Sequence, residues 1–236
     1  MVLETQDGKP DLRRGIVKRL LQISVSTLAQ AAALFTASGR LGWVMAWAYV
    51  AVIVAIPVIN TPIVLRKNPD LIAERAQVKD TRVWDKVIIL CVTLLLYVTL
   101  IVAGLDVRFG WSPLIALPIQ LLALVFVVVG YGLLSWALVT NKFFSGVARI
   151  QKERGHTVVS EGPYRYMRHP GYLGMIMALL AMPFLLGSLW ALIPAELATN
   201  GYVARTALED RMLREELVGY KDYARRVRYR LLPGVW

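Results

Sequence analysis

GPYRYMRHPGYLG, residues 162–174, lies between two strongly apolar segments, after a basic loop and immediately before a new hydrophobic run. A cluster of Tyr, Arg, His, Pro and Gly at a membrane boundary is costly to place there without a partner. Its position points to a cytosol-facing site for a polar ligand, set against a bilayer. Working outward, apolar runs near residues 20–37, 43–65, 87–104 and 114–140 precede it. A helical span needs about 20 apolar residues. A tighter pair follows at 171–186 and 189–207, with Pro183, Gly187 and Ser188 marking a very short turn between them. The expected fold is an all-α integral membrane protein of about six transmembrane helices, the last two a helical hairpin, with a C-terminal amphipathic cytosolic helix.

Composition agrees. Of 236 residues, 57% are hydrophobic, against about 45–50% in a soluble domain, and the mean hydropathy is +0.53. The net charge is +11. Those charges sit in short blocks between apolar runs, which fits anionic headgroups and topology control; no nucleic-acid partner is expected. Cys91, the lone cysteine, excludes a disulfide framework and reads as a small buried hydrophobe. Arg13, Arg14, Lys18 and Arg19 before an apolar run mimic a signal peptide. Polar residues from Gln22 to Gln30 dilute that run and further spans follow, so it reads as a retained first helix. No lipidation motif is found, and the chain ends PGVW.

Basic residues alternate along the chain. The N-terminal segment carries five Lys and Arg, the loops at 66–86 and 142–168 six each, and the segment from 205 onward eight, together 25 of the 27. The intervening turns carry Arg40 and Arg108. This asymmetry places both termini and the two long loops in the cytoplasm after an even number of crossings, with a bacterial inner membrane as the expected setting. No second soluble domain is visible: the chain reads as a single membrane domain over 1–236, divided into four N-terminal spans (1–140) and a C-terminal core (141–236).

The last segment, from Arg205, differs in kind. Leu208, Met212, Leu213, Leu217 and Tyr220 recur at helical spacing, while Glu209, Asp210, Arg214, Glu215 and Glu216 fill the other faces. This predicts an amphipathic helix with Gly219 as a candidate break and Tyr220, Tyr223, Tyr229 and Trp236 as headgroup anchors.

Several side chains are candidates for chemistry. Pro170 pushes His169 out of helical geometry and can start the next helix, leaving the imidazole beside orphan amide donors. That suits a nucleoside or carboxylate ligand; a plain interfacial His at a helix start is the alternative. Arg205 and Glu209 are spaced i, i+4, with Glu216 two turns on. The pair is either a solvated surface contact with a snorkelling Arg or a functional charge at the bilayer. Glu196 and Asn200, also i, i+4, lie deeper and suit a transporter. Phe143 and Phe144 in NKFFS either line a pocket or pack at the interface. His156 has no ligand-spaced partner, so no metal is expected. There is no P-loop and no strand-linked GxGxxG, which argues against a soluble dinucleotide fold.

GPYRYMRHPGYLG, then a short helical hairpin, then RTALEDRMLREELVGYKDYARRVRYRLLP resembles the isoprenylcysteine carboxyl methyltransferase family, within a wider group that includes bacterial phospholipid N-methyltransferases. The resemblance covers about residues 141–233 and is weaker over the first four spans. It implies an all-helical enzyme that uses S-adenosylmethionine in a cytosol-facing pocket and takes a lipidic or prenylated small substrate sideways from the bilayer, among membrane lipids. By position, the cofactor pocket would include Tyr164, Arg168, His169, Pro170, Tyr172, Leu173, Glu215 and Glu216. Arg205 and Glu209 match the family's Arg-x-x-x-Glu, where catalytic and substrate-orienting roles are placed; the second residue of its acidic pair is Asp210 here. The implied activity is carboxyl O-methylation of a lipid-soluble acceptor, with phospholipid N-methylation, small-thiol methylation, or a non-enzymatic transporter or scaffold as alternatives. Glu209 would fix the Arg205 guanidinium while that fork holds an acceptor carboxylate.

Overall fold

The computed structural model describes residues 12–75 and 81–236. Lys9 and Lys79, counted above among the basic blocks, lie outside the described residues. Eight α-helices and no strands are found among those described. They are α1 (Leu12–Ser38), α2 (Val44–Lys67), α3 (Pro69–Arg75), α4 (Val83–Phe109), α5 (Leu117–Thr140), α6 (Pro170–Leu186), α7 (Leu192–Glu216) and α8 (Tyr220–Arg226). Short 3-10 turns at Lys152–Arg154 and Gly162–Arg165 shape the loop between α5 and α6.

Four helices, α1, α2, α4 and α5, are long and apolar enough to cross a membrane. Their outward faces carry large apolar side chains such as Leu28, Val58, Leu90 and Leu122. Such a continuous coat is what hydrocarbon surroundings require and water penalises. Cys91, expected inside, lies on this exposed coat; an apolar environment is met there by lipid rather than by protein. The shorter α6 has 17 residues, about 25 Å at the helical rise.

Local chemistry sets the ends. Pro69 opens α3 directly after Asn68 ends α2. Gly110 and Gly187, both left-handed, close α4 and α6. Pro170 opens α6 with His169 as its N-cap residue. The final helices also show where periodicity misleads. α7 continues unbroken past Arg205 to Glu216, and Gly219, at φ +81°, turns the chain into α8. Tyr220 and Tyr223, expected as headgroup anchors, are buried with Leu217 and Ala224. Asp210, expected on a solvent face, is 0% exposed, and Leu208, expected on the apolar stripe, is exposed. The α5–α6 loop and the C-terminal segment fold over α7 and bury Asp210.

α5 packs most closely on α6, α4 bridges α1 and α7, and α6 pairs with α7. α5 and α6 cross at Gly130 and Gly174, where a Cβ on either glycine would fall within 2.5 Å of the other's carbonyl oxygen. At the far end, the Ser188 hydroxyl donates to Asp106 Oδ2 at 2.5 Å, and the Ser112 amide donates to Asp106 Oδ1 at 2.7 Å. This ties the α6–α7 turn to the α4–α5 connection. The opposite ends of α4, α5, α6 and α7 converge beneath the long loop, and the site lies there.

Candidate functional site

The site grows from Asp210. Its carboxylate accepts from Arg168 Nε (2.6 Å) and Nη2 (3.0 Å), from Arg214 Nε and Arg230 Nε (3.0 Å each), and from the Tyr220 hydroxyl (3.0 Å). His169 Nε2 stands 3.4 Å away. Burial alone would raise this carboxyl's pKa. Hydrogen bonds from His169, Arg168 and Arg230 outweigh that, and the group is held far below the ordinary carboxylate range.

Arg168 then binds the end of the chain. Its Nη1 donates to the carbonyls of Val227 and Arg228, both at 2.7 Å. The backbone amides of Arg168 and His169 donate to the Tyr229 and Arg230 carbonyls at 3.0 and 2.9 Å. The RHP loop is thereby fastened both to α7 and to the C-terminal segment. The sequence pattern alone puts His169 on a rim. The structure places it at 6% exposure, stacked on Tyr172 with ring centroids 5.8 Å apart, because the C-terminal segment closes over it.

Beside this hub lies an open cleft of about 210 Å³. Of the sequence-derived residues, Tyr164, Arg168, His169, Tyr172, Arg205 and Glu209 line it. The Tyr172 hydroxyl donates to Glu209. Four others lie elsewhere. Pro170 opens α6, and Leu173 packs with Ile176 and Leu231. Glu215 pairs with Arg211 on an exposed face, and Glu216 with Arg82 at 2.5 Å.

Arg205 departs from its expected partner. Its Nε lies 2.7 Å from Asp85 Oδ1, its Nη2 lies 3.3 Å from Asp85 Oδ2, and Nη2 also donates to the Gly146 carbonyl at 3.0 Å. Asp85, 0% exposed in the first turn of α4, is a site residue that sequence reasoning misses. A lone carboxylate at the start of an otherwise apolar run is the available signal. Tyr172 stacks its ring 5.2 Å from the Arg205 guanidinium carbon.

The loop from Asn141 supplies the opposite wall. Phe143 and Phe144 both line the cleft, which decides between the two readings of NKFFS. Gln151 Nε2 donates to the Phe143 carbonyl at 2.8 Å, and the His156 ring centroid lies 4.4 Å from that of Phe143. Burial, and then the charges of Arg154 and Arg149, push the His156 pKa down to about 4. It accepts the Gln151 amide through Nδ1 at 3.3 Å, so it is a neutral wall at pH 7. Glu196 and Asn200, the transporter-like pair, sit on the outer face of α7, where Asn200 donates to the Glu196 carbonyl.

Residues 122–215 match the family described as "Isoprenylcysteine carboxyl methyltransferase (ICMT) family". Over that segment the chain is similar to the isoprenylcysteine carboxyl methyltransferase family. The matched segment holds α6, most of α5 and nearly all of α7, and so most of the cleft. Two rice proteins, from Oryza sativa subsp. indica and subsp. japonica, are similar to this chain. Each is described as "Probable protein-S-isoprenylcysteine O-methyltransferase" and is 39% identical over 59 residues, 25% of this chain. The aligned stretch spans 31% of the length of these relatives.

Proposed function

We propose that this chain is an S-adenosylmethionine-dependent methyltransferase of the membrane, acting on a lipidic or lipid-soluble acceptor as an isoprenylcysteine-type carboxyl O-methyltransferase. The observation that carries the reading is the convergence of residues 164–172 with Arg205 and Glu209 on one cleft, within the segment that matches the family. In this reading the chain crosses six times, with α6 and α7 as the last pair, and both termini and the cleft face the cytoplasm. Residues 1–140 supply four spans and 141–236 the methyltransferase core.

The lining fits the cofactor. Phe143, Tyr164 and Tyr220 offer apolar walls for an adenosyl group, and His169 offers a polar edge. Glu209 and the Tyr172 ring suit a sulfonium cation. When bound, S-adenosylmethionine supplies the electrophilic methyl group. The residues of this chain supply alignment, which dominates an in-line displacement. An acceptor carboxylate is already ionised at pH 7 and needs no base. Arg205, braced by Asp85, fixes a positive charge beside the reacting group, and the Tyr172 contact fixes the Glu209 carboxylate. Pro170, Leu173, Glu215 and Glu216 act, in this reading, through the placement of α6 and α7.

Isothermal titration of the detergent-solubilised chain with S-adenosylmethionine tests the proposal. Micromolar-range binding and production of S-adenosylhomocysteine with a prenylated carboxylate are expected. Absence of binding by well-folded protein would end the reading, and turnover on an amine or thiol alone would move it to N- or S-methylation.

A further inference from the structure

Four arginines line the cleft: Arg75, Arg149, Arg168 and Arg205. Three have carboxylate partners. Arg149 holds Glu74 and Glu153, Arg168 holds Asp210, and Arg205 holds Asp85. Among the described residues, no carboxylate lies within ion-pair distance of Arg75. Its Nη1 donates to the neutral carbonyls of Phe144 at 2.9 Å and Ser145 at 3.5 Å, and its guanidinium stands 5.4 Å from the Phe144 ring centroid. Burial, and then the charges of Arg19 and Arg205, depress its pKa to about 9. It remains charged at pH 7. A half-buried cation facing like charges is costly unless an anion joins it.

Arg75 also stands where two cavities meet. The second, of about 250 Å³, runs between α1, α2 and α5 past Leu20, Ile23, Ile53 and Leu138. It shares Arg75, Leu134 and Phe144 with the cleft. Arg19, the other cation on its wall, likewise has no carboxylate within ion-pair distance among the described residues. An apolar groove that ends in an unpaired guanidinium matches an amphiphile with an oxyanion at one end. Arg205 is poorly placed for that task, because its Nε and Nη2 are occupied by Asp85 and Gly146.

We propose that Arg75 is the receptor for the oxyanion head group, carboxylate or phosphate, of an amphiphilic acceptor whose apolar chain lies in the α1–α2–α5 groove. The proposal rests on the methyltransferase reading for the word acceptor, while the anion site itself does not. Arg75 lies outside the family-matched segment, so selection of an anionic head is a property of this chain's N-terminal spans joined to the shared core.

The test uses the full chain in detergent, with N-acetyl-S-farnesylcysteine, its neutral carboxamide and phosphatidic acid as probes. Wild type should bind an oxyanion probe at least about tenfold more tightly than the carboxamide, the value expected of a charge-assisted contact. Arg75→Gln should bring the two within about twofold, while the thermal unfolding temperature stays within about 3 °C of wild type and so reports an intact fold. Arg75→Met, which keeps the stem's packing, serves if the Gln variant does not fold. A preference that shifts for phosphatidic acid rather than for the farnesylated acid upholds the site with lipid phosphate as its ligand. No oxyanion preference in wild type, or one unchanged in both folded variants, overturns it. Failure of S-adenosylmethionine binding in wild type would instead remove the methyltransferase reading, leaving the oxyanion preference as a separate result.

Discussion

Arg205 of α7 grips Asp85 of α4 side-on, and both side chains are buried. The pair joins a span outside the family-matched segment to a residue inside it. Asp85 Oδ2 also accepts the Ala148 amide at 2.7 Å, so the same carboxylate pins the loop that walls the cleft. One buried anion thus sets the relative position of α4, α7 and the α5–α6 loop.

Asp85→Asn should therefore be among the most damaging conservative changes in the chain. It leaves the Arg205 charge desolvated and uncompensated, which typically costs about 3–5 kcal/mol. The unfolding temperature in detergent should fall markedly, and S-adenosylmethionine affinity should fall with it. Unchanged thermal stability would show that Arg205 reaches water or another anion.

Arg205→Lys separates positioning from folding. Lysine keeps the charge but cannot make the two-point contact with Asp85 while also reaching Gly146. Misplacing the charge beside the reacting group should lower turnover by about 10- to 100-fold, with a smaller change in cofactor affinity. Equal losses in both would move Arg205 into the cofactor pocket.

Much of this architecture is legible in the sequence because it is local. Pro170, Gly187 and the apolar runs define α6 and its turn without any distant contact. The RHP loop and the Arg205–Glu209 segment are recognisable as partners through their order along the chain. What the sequence hides is long-range. Asp85 and Arg205 are 120 residues apart, and nothing near either names the other. Asp210 looks solvated because periodicity describes a helix by itself and is blind to Arg168 and Arg230 arriving from other segments. Tyr220 and Tyr223 are misplaced for the same reason. Arg75 is lost among topogenic charges, since its isolation from the carboxylates of the described residues exists only in three dimensions.

The acid response should show two separate windows. His156 has its pKa lowered to about 4, below its free value of ~6.5. As pH falls from ~6.5 toward 4, the unfolded chain takes up a proton that the folded one resists, so stability declines with acidification. Because the ring is partly exposed, the loss should be on the order of 1 kcal/mol. Asp210 is also depressed, and as a carboxyl it stabilises fully above ~3.9 and loses that contribution only as pH falls lower. His156→Asn should flatten the melting profile between pH 6.5 and 4 and leave the decline below 4 in place. A profile unchanged in the upper window would show that His156 is not its source.

The α5–α6 crossing offers a matched pair of substitutions. A Cβ on Gly174 would collide with the Gly130 carbonyl oxygen and stand 2.9 Å from the Leu134 amide nitrogen. These are backbone atoms that cannot turn aside, so the helices must separate. That movement would shift Gly171 from Phe144 and Tyr164 from Asn141, both contacts at the cleft wall. Gly174→Ala should cost about 1–3 kcal/mol or more and weaken S-adenosylmethionine binding. Gly132, two residues beyond Gly130 on α5, has open space where a Cβ would stand, with no neighbouring atom within 4 Å of that point. Gly132→Ala should be neutral, or stabilising by up to about 1 kcal/mol through helix propensity. Thermal unfolding of the two variants beside wild type decides the matter: equal effects would mean that the glycine contact does not set the spacing of α5 and α6.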